Sequence, residues 1–134
     1  MTGIIAAPLI ETKYTVRAKE RPKRTAKVRL FDSMHEKRVV LNLESETSMD
    51  AIRELVNRAA TDDLPVPKSS IVEAVLLRER SMSTYLGHGL AVPHARLEAL
   101  KAPCMLVAHS ALGVRFDPSK EERAHILFLL LTPS

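Results

Sequence analysis

A chain of 134 residues is about one domain in length and long enough to bury a core, and 46% hydrophobic with 27% charged residues fits a soluble globular protein. No run approaches the roughly 20 consecutive apolar residues that span a bilayer. Aromatic residues make up 4% and tryptophan is absent, which excludes the stacking surface of a single-strand nucleic-acid binder, so no nucleic-acid partner is expected despite the net charge of +4.

That charge is local. Met1 to Ile10 is mostly apolar, and the stretch Glu11 to Val28 then carries Lys13, Arg17, Lys19, Arg21, Lys23, Arg24 and Lys27 against Glu11 and Glu20, a local net of +5 that leaves about −1 for the remainder. An apolar segment followed by basic residues is the order of a membrane helix emerging into the cytoplasm, so the N-terminus is a candidate tether to a membrane transporter. A secretory signal would carry its basic residues first. A disordered leader or an expression remnant is the other reading. Ala18 to Lys27 contains Pro22 and shows no apolar periodicity, so residues 1–27 form an apolar then basic leader or linker and residues 28–134 one domain.

Within the domain, Leu30, Phe31 and Met34 can make one helical turn, and Val39 to Leu43 reads as a strand. Thr47 with Asp50 three residues on resembles a capping box, and Met49, Ile52, Leu55 and Val56 recur at helical spacing, which predicts a helix over about 49–60. After the loop Thr61 to Pro67, Ser69 or Ser70 caps a second helix that buries Ile71, Ala74, Val75 and the stem of Arg78 and frays after Glu79. Arg80 to Gly89 reads as a loop that approaches something closely. Short apolar runs follow at Leu90 to His94, Met105 to His109 and Ile126 to Leu131. Two helices and several strands give an α/β fold, a mixed-sheet sandwich flanked by helices. Two helices are few for both faces of a sheet, so the chain is expected to be a fragment lacking C-terminal helices.

The chemistry concentrates in Leu86-Gly87-His88-Gly89-Leu90-Ala91-Val92-Pro93-His94-Ala95. On a strand, Leu90, Val92 and His94 share a face, and Pro93, which cannot donate to the ladder, marks a strand end where an imidazole can meet a partner. A core histidine satisfied by a backbone carbonyl is the alternative. Arg78, Ser83, Thr84 and the backbone amides near Gly87 and Gly89 would supply the positive charge and donors that a phosphoryl group on imidazole requires. A solvated helix end at Arg78 and Glu79 and an ordinary polar turn at Ser83 and Thr84 are the plainer readings. His88 and His94 are six apart, but no Cys pair, HExxH or third ligand accompanies them, so no metal is expected. His109 and His125 border apolar runs as strand-end histidines, and His35 lies in a charged turn. The single cysteine, Cys104, sits in an apolar run and reads as a core residue of a reducing compartment.

At Arg78-Glu79, at Leu86-Gly87 after a six-residue gap, and at Leu90-Ala91-Val92-Pro93-His94-Ala95, the chain resembles the enzyme IIA domains of the fructose/mannitol/nitrogen class of the bacterial phosphoenolpyruvate:sugar phosphotransferase system. Ser83-Thr84 fits the polar segment between, and Phe116-Asp117 with the strand up to Pro133 is similar to the family's later strands. The resemblance implies the enzyme IIA type-2, anion-transporter-like fold and a cytoplasmic phosphocarrier. His94, through Nε2, would accept a phosphoryl group from the carrier protein HPr or a nitrogen-branch counterpart and hand it to an enzyme IIB, with Arg78, Ser83, Thr84, Gly87 and Gly89 in support and no cofactor. A regulatory module on a membrane transporter such as a cation/proton antiporter, or an α/β domain without phosphotransfer, are the alternatives. Two features depart from the family pattern. Tyr85 stands where Gly is common, and the second active-site histidine of several members would lie after the last strand. His125 precedes that strand and is not assigned to it.

Overall fold

The computed structural model describes residues 36–61 and 63–134. The leader, the turn expected at Leu30 to Met34, the domain boundary at Val28 and His35 lie outside the described residues. A 3-10 turn at Glu36–Arg38 leads into β1 (Val39–Val40), followed by α1 (Ser48–Ala59), α2 (Lys68–Ser81), β2 (Tyr85–Gly87), β3 (Leu90–Ala91), β4 (His94–Leu97), β5 (Cys104–Val114) and β6 (Ala124–Pro133). The six strands form one mixed sheet of order β1-β5-β6-β3-β2, with β4 also paired to β6. No helix among the described residues is long and apolar enough to cross a membrane.

Local chemistry sets the element ends. Thr47 caps α1 as expected, its hydroxyl accepting from Asp50 N at 3.3 Å, and Ala51, Ile52, Leu55, Val56 and Ala59 are buried along one stripe. The start of α2 differs from expectation: Pro67 is the N-cap residue, and Ser69 and Ser70 fall inside the first turn. Proline already has the φ it needs, and its carbonyl accepts from Ser70 N and Ile71 N at 3.0 and 3.1 Å. The helix also runs beyond Glu79 to Ser81, because the Ser81 hydroxyl donates to Arg78 O at 2.7 Å and the Arg78 guanidinium donates to Met82 O at 3.0 Å. Those bonds satisfy carbonyls that a helix end otherwise leaves open.

β1 is shorter than expected. Leu41 and Asn42 turn outward before Leu43, which is buried, rejoins β5 through Leu43 N to His109 O at 2.9 Å. The strand expected at Leu90 to His94 is divided at Val92-Pro93, since proline has no N–H for the ladder. β3 pairs with the first part of β6 (Leu90 with Ile126, Ala91 with Leu127), and β4 with its last part, from His94 opposite Leu130 to Leu97 opposite Pro133. Both pairings are parallel. β5 and β6 pair antiparallel and run longer than their apolar cores.

The sheet has two unlike faces. Ala91, Ala95, Leu106, Ala108, Leu127, Leu129 and Leu131 join residues of both helices in a single core. Register places Leu90, His94, Met105, Val107, Ile126, Phe128 and Leu130 on the opposite face. There Phe128 and Leu130 are only partly buried and Ile126 is exposed. Met105 is buried yet lies outside the core cluster.

Candidate functional site

His94 is the first residue of β4 and lies on the sheet face away from the core. Its approach is fixed on both sides: Val92 N donates to Thr84 O at 3.1 Å, and Leu130 N donates to Pro93 O at 2.9 Å. The imidazole Nδ1 lies 2.9 Å from Val92 O. A carbonyl can only accept, so Nδ1 carries a hydrogen, and in the neutral ring the lone pair is therefore on Nε2. The side chain is partly buried. One ring nitrogen is thus anchored to the backbone, and the other faces away from that anchor.

The loop before β2 is held from beneath by Glu79, whose side chain is buried among the core-facing residues of α2. Its carboxylate accepts from Thr84 N at 3.0 Å and from Thr84 Oγ1 at 2.6 Å. Ser83 Oγ donates to Phe116 O at 3.3 Å and accepts from Tyr85 N at 3.2 Å. Both hydroxyl hydrogens thus serve internal acceptors in this structure. Arg78 donates to Met82 O and, at 3.3 Å, to Ser81 Oγ at the end of its own helix. Among the described residues, Arg78, Ser83 and Thr84 make no hydrogen bond to the His94 imidazole; Thr84 reaches it only through Val92.

The β2–β3 turn uses left-handed backbone at three successive residues, with φ of 98° at Gly87, 54° at His88 and 79° at Gly89. A Cβ on Gly87 would meet nothing within 4 Å, so its glycine serves the backbone conformation rather than the close approach expected from sequence. The Gly89 amide donates to the Tyr85 hydroxyl at 3.1 Å, and that hydroxyl donates onward to Glu122 Oε1 at 3.1 Å. Tyr85 therefore closes the hairpin onto the β5–β6 connection. His88, Glu122, Arg123 and His125 complete the lining of an open cavity of about 530 Å³ beside it, and His94 is not part of that lining.

The other histidines are accounted for locally. His109 Nδ1 faces Leu41 O at 3.3 Å and His125 Nδ1 faces Ser110 O at 2.9 Å, the carbonyl-satisfied arrangement of strand histidines. His88 is exposed. Among the described residues no group of three or more His, Cys, Asp or Glu side chains is placed to hold a metal. Cys104 is buried in β5, and burial pushes its thiol above the usual range, opposed by the Arg38 guanidinium, so it is a core residue and no ready thiolate.

Glu79, which the sequence reading places in the Arg78-Glu79 of the family pattern without a role of its own, is buried rather than part of a solvated helix end. A signal was present: it lies four residues after Val75 and three after Leu76, on the stripe that begins at Ile71, where an acid must find donors.

The family model described as phosphoenolpyruvate-dependent sugar phosphotransferase system, EIIA 2, matches residues 32–134. A fructose-specific EIIA component of that system from Haloferax volcanii is 32% identical over 88 residues, which are 66% of this chain and 57% of the relative. A mannitol-specific EIICBA component from Pasteurella multocida is 37% identical over 90 residues, 65% of this chain and 14% of the relative. The chain thus spans little more than half of the first relative and a small part of the second. The crystal structure of nitrogen regulatory protein IIA-Ntr from Neisseria meningitidis superposes with a TM-score of 0.70 at 23% identity, covering 77% of this chain and 70% of that one, a likeness of fold. With a family match that takes in both helices, the whole mixed sheet and the His94 strand, the chain belongs to the EIIA 2 family of the phosphoenolpyruvate-dependent sugar phosphotransferase system.

Proposed function

We propose that the domain is a histidine phosphocarrier in which Nε2 of His94 receives a phosphoryl group from the phosphohistidine of an HPr-like protein and passes it to an enzyme IIB. The observation that carries this reading is the Nδ1–H bond to Val92 O at 2.9 Å, which leaves a lone pair on Nε2 of a partly exposed ring. In the transfer, the Nε2 lone pair forms the new N–P bond while the donor's N–P bond breaks, its electron pair returning to the donor imidazole. Handing on reverses the roles, with the acceptor side chain of enzyme IIB attacking phosphorus. Phosphoryl transfer needs chiefly positioning and charge stabilisation, and no metal or organic cofactor enters this scheme.

In this reading Arg78 supplies the positive charge for the phosphoryl oxygens, at the helix end beside the loop. Ser83 and Thr84 act by holding the loop backbone, and Gly87 and Gly89 shape the hairpin that delivers β3 and β4. The enzyme IIB partner is supported by the Pasteurella relative, whose name joins EIIA to EIIB and EIIC in one protein. The phosphotransferase names of the relatives favour a carrier over a sensing module on an antiporter, and the carrier would work in the cytoplasm. The test is incubation with phosphoenolpyruvate, enzyme I and HPr. Acid-labile label on the native chain that disappears in His94→Ala supports the reading, and no label on the folded native chain sinks it.

A further inference from the structure

We infer that Glu79 is a positioning residue for His94, an inference that rests on the phosphocarrier reading and identifies what holds its imidazole in the reactive tautomer. A carboxylate buried on the core stripe of a helix is a poor choice for stability, because an apolar residue would fill the place without desolvating a charge. Its use lies in what it holds. Glu79 Oε2 and Oε1 take the N–H and hydroxyl of Thr84 at 3.0 and 2.6 Å. Thr84 O takes Val92 N at 3.1 Å, and Val92 O takes His94 Nδ1 at 2.9 Å. Three successive links therefore run from the helix, through the backbones of Thr84 and Val92, to the ring.

Each link orients the next. With Thr84 clamped at two atoms, its carbonyl is aimed at Val92 N–H, and that hydrogen bond fixes the Val92 backbone and with it the direction in which the Val92 carbonyl points. That carbonyl selects the Nδ1–H tautomer and sets the ring plane, so that Nε2 presents its lone pair. The imidazole has no carboxylate partner among the described residues, and the buried acid acts at one remove through the backbone. Touching neither the ring nor the reacting atoms, Glu79 is not a catalytic residue.

The test reads the His94 tautomer by ring-¹⁵N NMR on the unphosphorylated full chain, at a pH where the ring is neutral. In the native protein the Nδ1–H form dominates. In Glu79→Ala the ratio of Nδ1–H to Nε2–H falls about fivefold, the equivalent of one net hydrogen bond of about 1 kcal/mol. Glu79→Gln keeps an oxygen for Thr84 N–H and restores the ratio to within about twofold of native, on the same hydrogen-bond scale. A folded alanine variant with the native ratio overturns the inference, as does a folded glutamine variant as depressed as the alanine one. If Glu79→Ala does not fold, Thr84→Val decides: it removes the hydroxyl link and keeps the backbone one, and a fall of about twofold supports the relay while an unchanged ratio overturns it. Because the ratio is read without any phosphoryl donor, its failure and a failure of the native chain to be phosphorylated are separate results.

Discussion

Leu129 and Leu130 are neighbours on β6 with identical side chains on opposite faces of the sheet, so truncating each to alanine measures how differently the two faces are packed. Leu129 is fully buried opposite Leu106 in the helix-covered core, whereas Leu130 is partly buried opposite both His94 and Met105. Removing the equivalent of three methylenes from a buried site forfeits about 2.4 kcal/mol of transfer free energy at ~0.8 kcal/mol each. The cavity left behind brings the loss for Leu129→Ala to about 3–4 kcal/mol. At Leu130 part of the side chain already meets water and the site can relax, so the loss is about 1–1.5 kcal/mol on the same scale. Urea unfolding followed by circular dichroism gives both values, provided the two variants share the native m-value. In Tm the difference of roughly 2 kcal/mol amounts to about 10 °C for a domain of this size. Equal losses, or a larger one for Leu130→Ala, would refute the assignment of His94 to the less packed face.

The loop before α1 depends on Glu54, which accepts from Glu44 N, Ser45 N, Ser45 Oγ and Arg58 Nη1. Burial raises its pKa, but the Ser45 bonds, with Arg58 and Glu44, outweigh that and leave it below the ordinary value of 4.5. A depressed folded pKa means stability that is present above the unfolded pKa and lost as pH falls through the folded one. Glu54→Gln should therefore cost about 1–3 kcal/mol at neutral pH and flatten the acid limb of Tm against pH below about 4.5. An acid limb as steep as the native one counts against this. Gly113 has φ of 91°, and a Cβ there would sit 2.7 Å from Arg123 Cβ, whereas one at Gly89 meets nothing closer than 3.8 Å. Gly113→Ala should lose at least about 1 kcal/mol more than Gly89→Ala in chemical denaturation, since clash adds to backbone strain; a smaller loss at Gly113 shows the reasoning to be wrong.

The sequence was most readable where structure is local. Thr47 and Asp50 announce the start of α1, and the stripe through Ile52, Leu55 and Val56 announces its buried face. The cores of β5 and β6 show as apolar runs. The far end of β5 does not, because Ser110 and Gly113 carry no strand signal and lie where the register with β6 shifts. Pro93 gave warning of the break before β4, yet the apolar run around it reads as continuous. At the candidate site, Pro93 pointed to a break beside His94, but the sequence predicts the end of a strand there, whereas His94 opens β4 opposite Leu130; its carbonyl partner is two residues away. The partners of Ser83 and Thr84 were not legible. One is Phe116 O, far along the chain, and the other is a carboxylate that only a folded helix places beneath the loop.

The account rests on Nε2 of His94 as the atom that takes the phosphoryl group. Phosphorylating the uniformly ¹⁵N-labelled full chain with phosphoenolpyruvate, enzyme I and HPr, and recording ³¹P–¹⁵N couplings, locates the new bond directly. One phosphohistidine is predicted, with phosphorus coupled to Nε2 of His94 and Nδ1 still bearing its hydrogen. Phosphorus coupled to His88, His125 or Nδ1 of His94, or no phosphohistidine on the folded chain, would contradict the account.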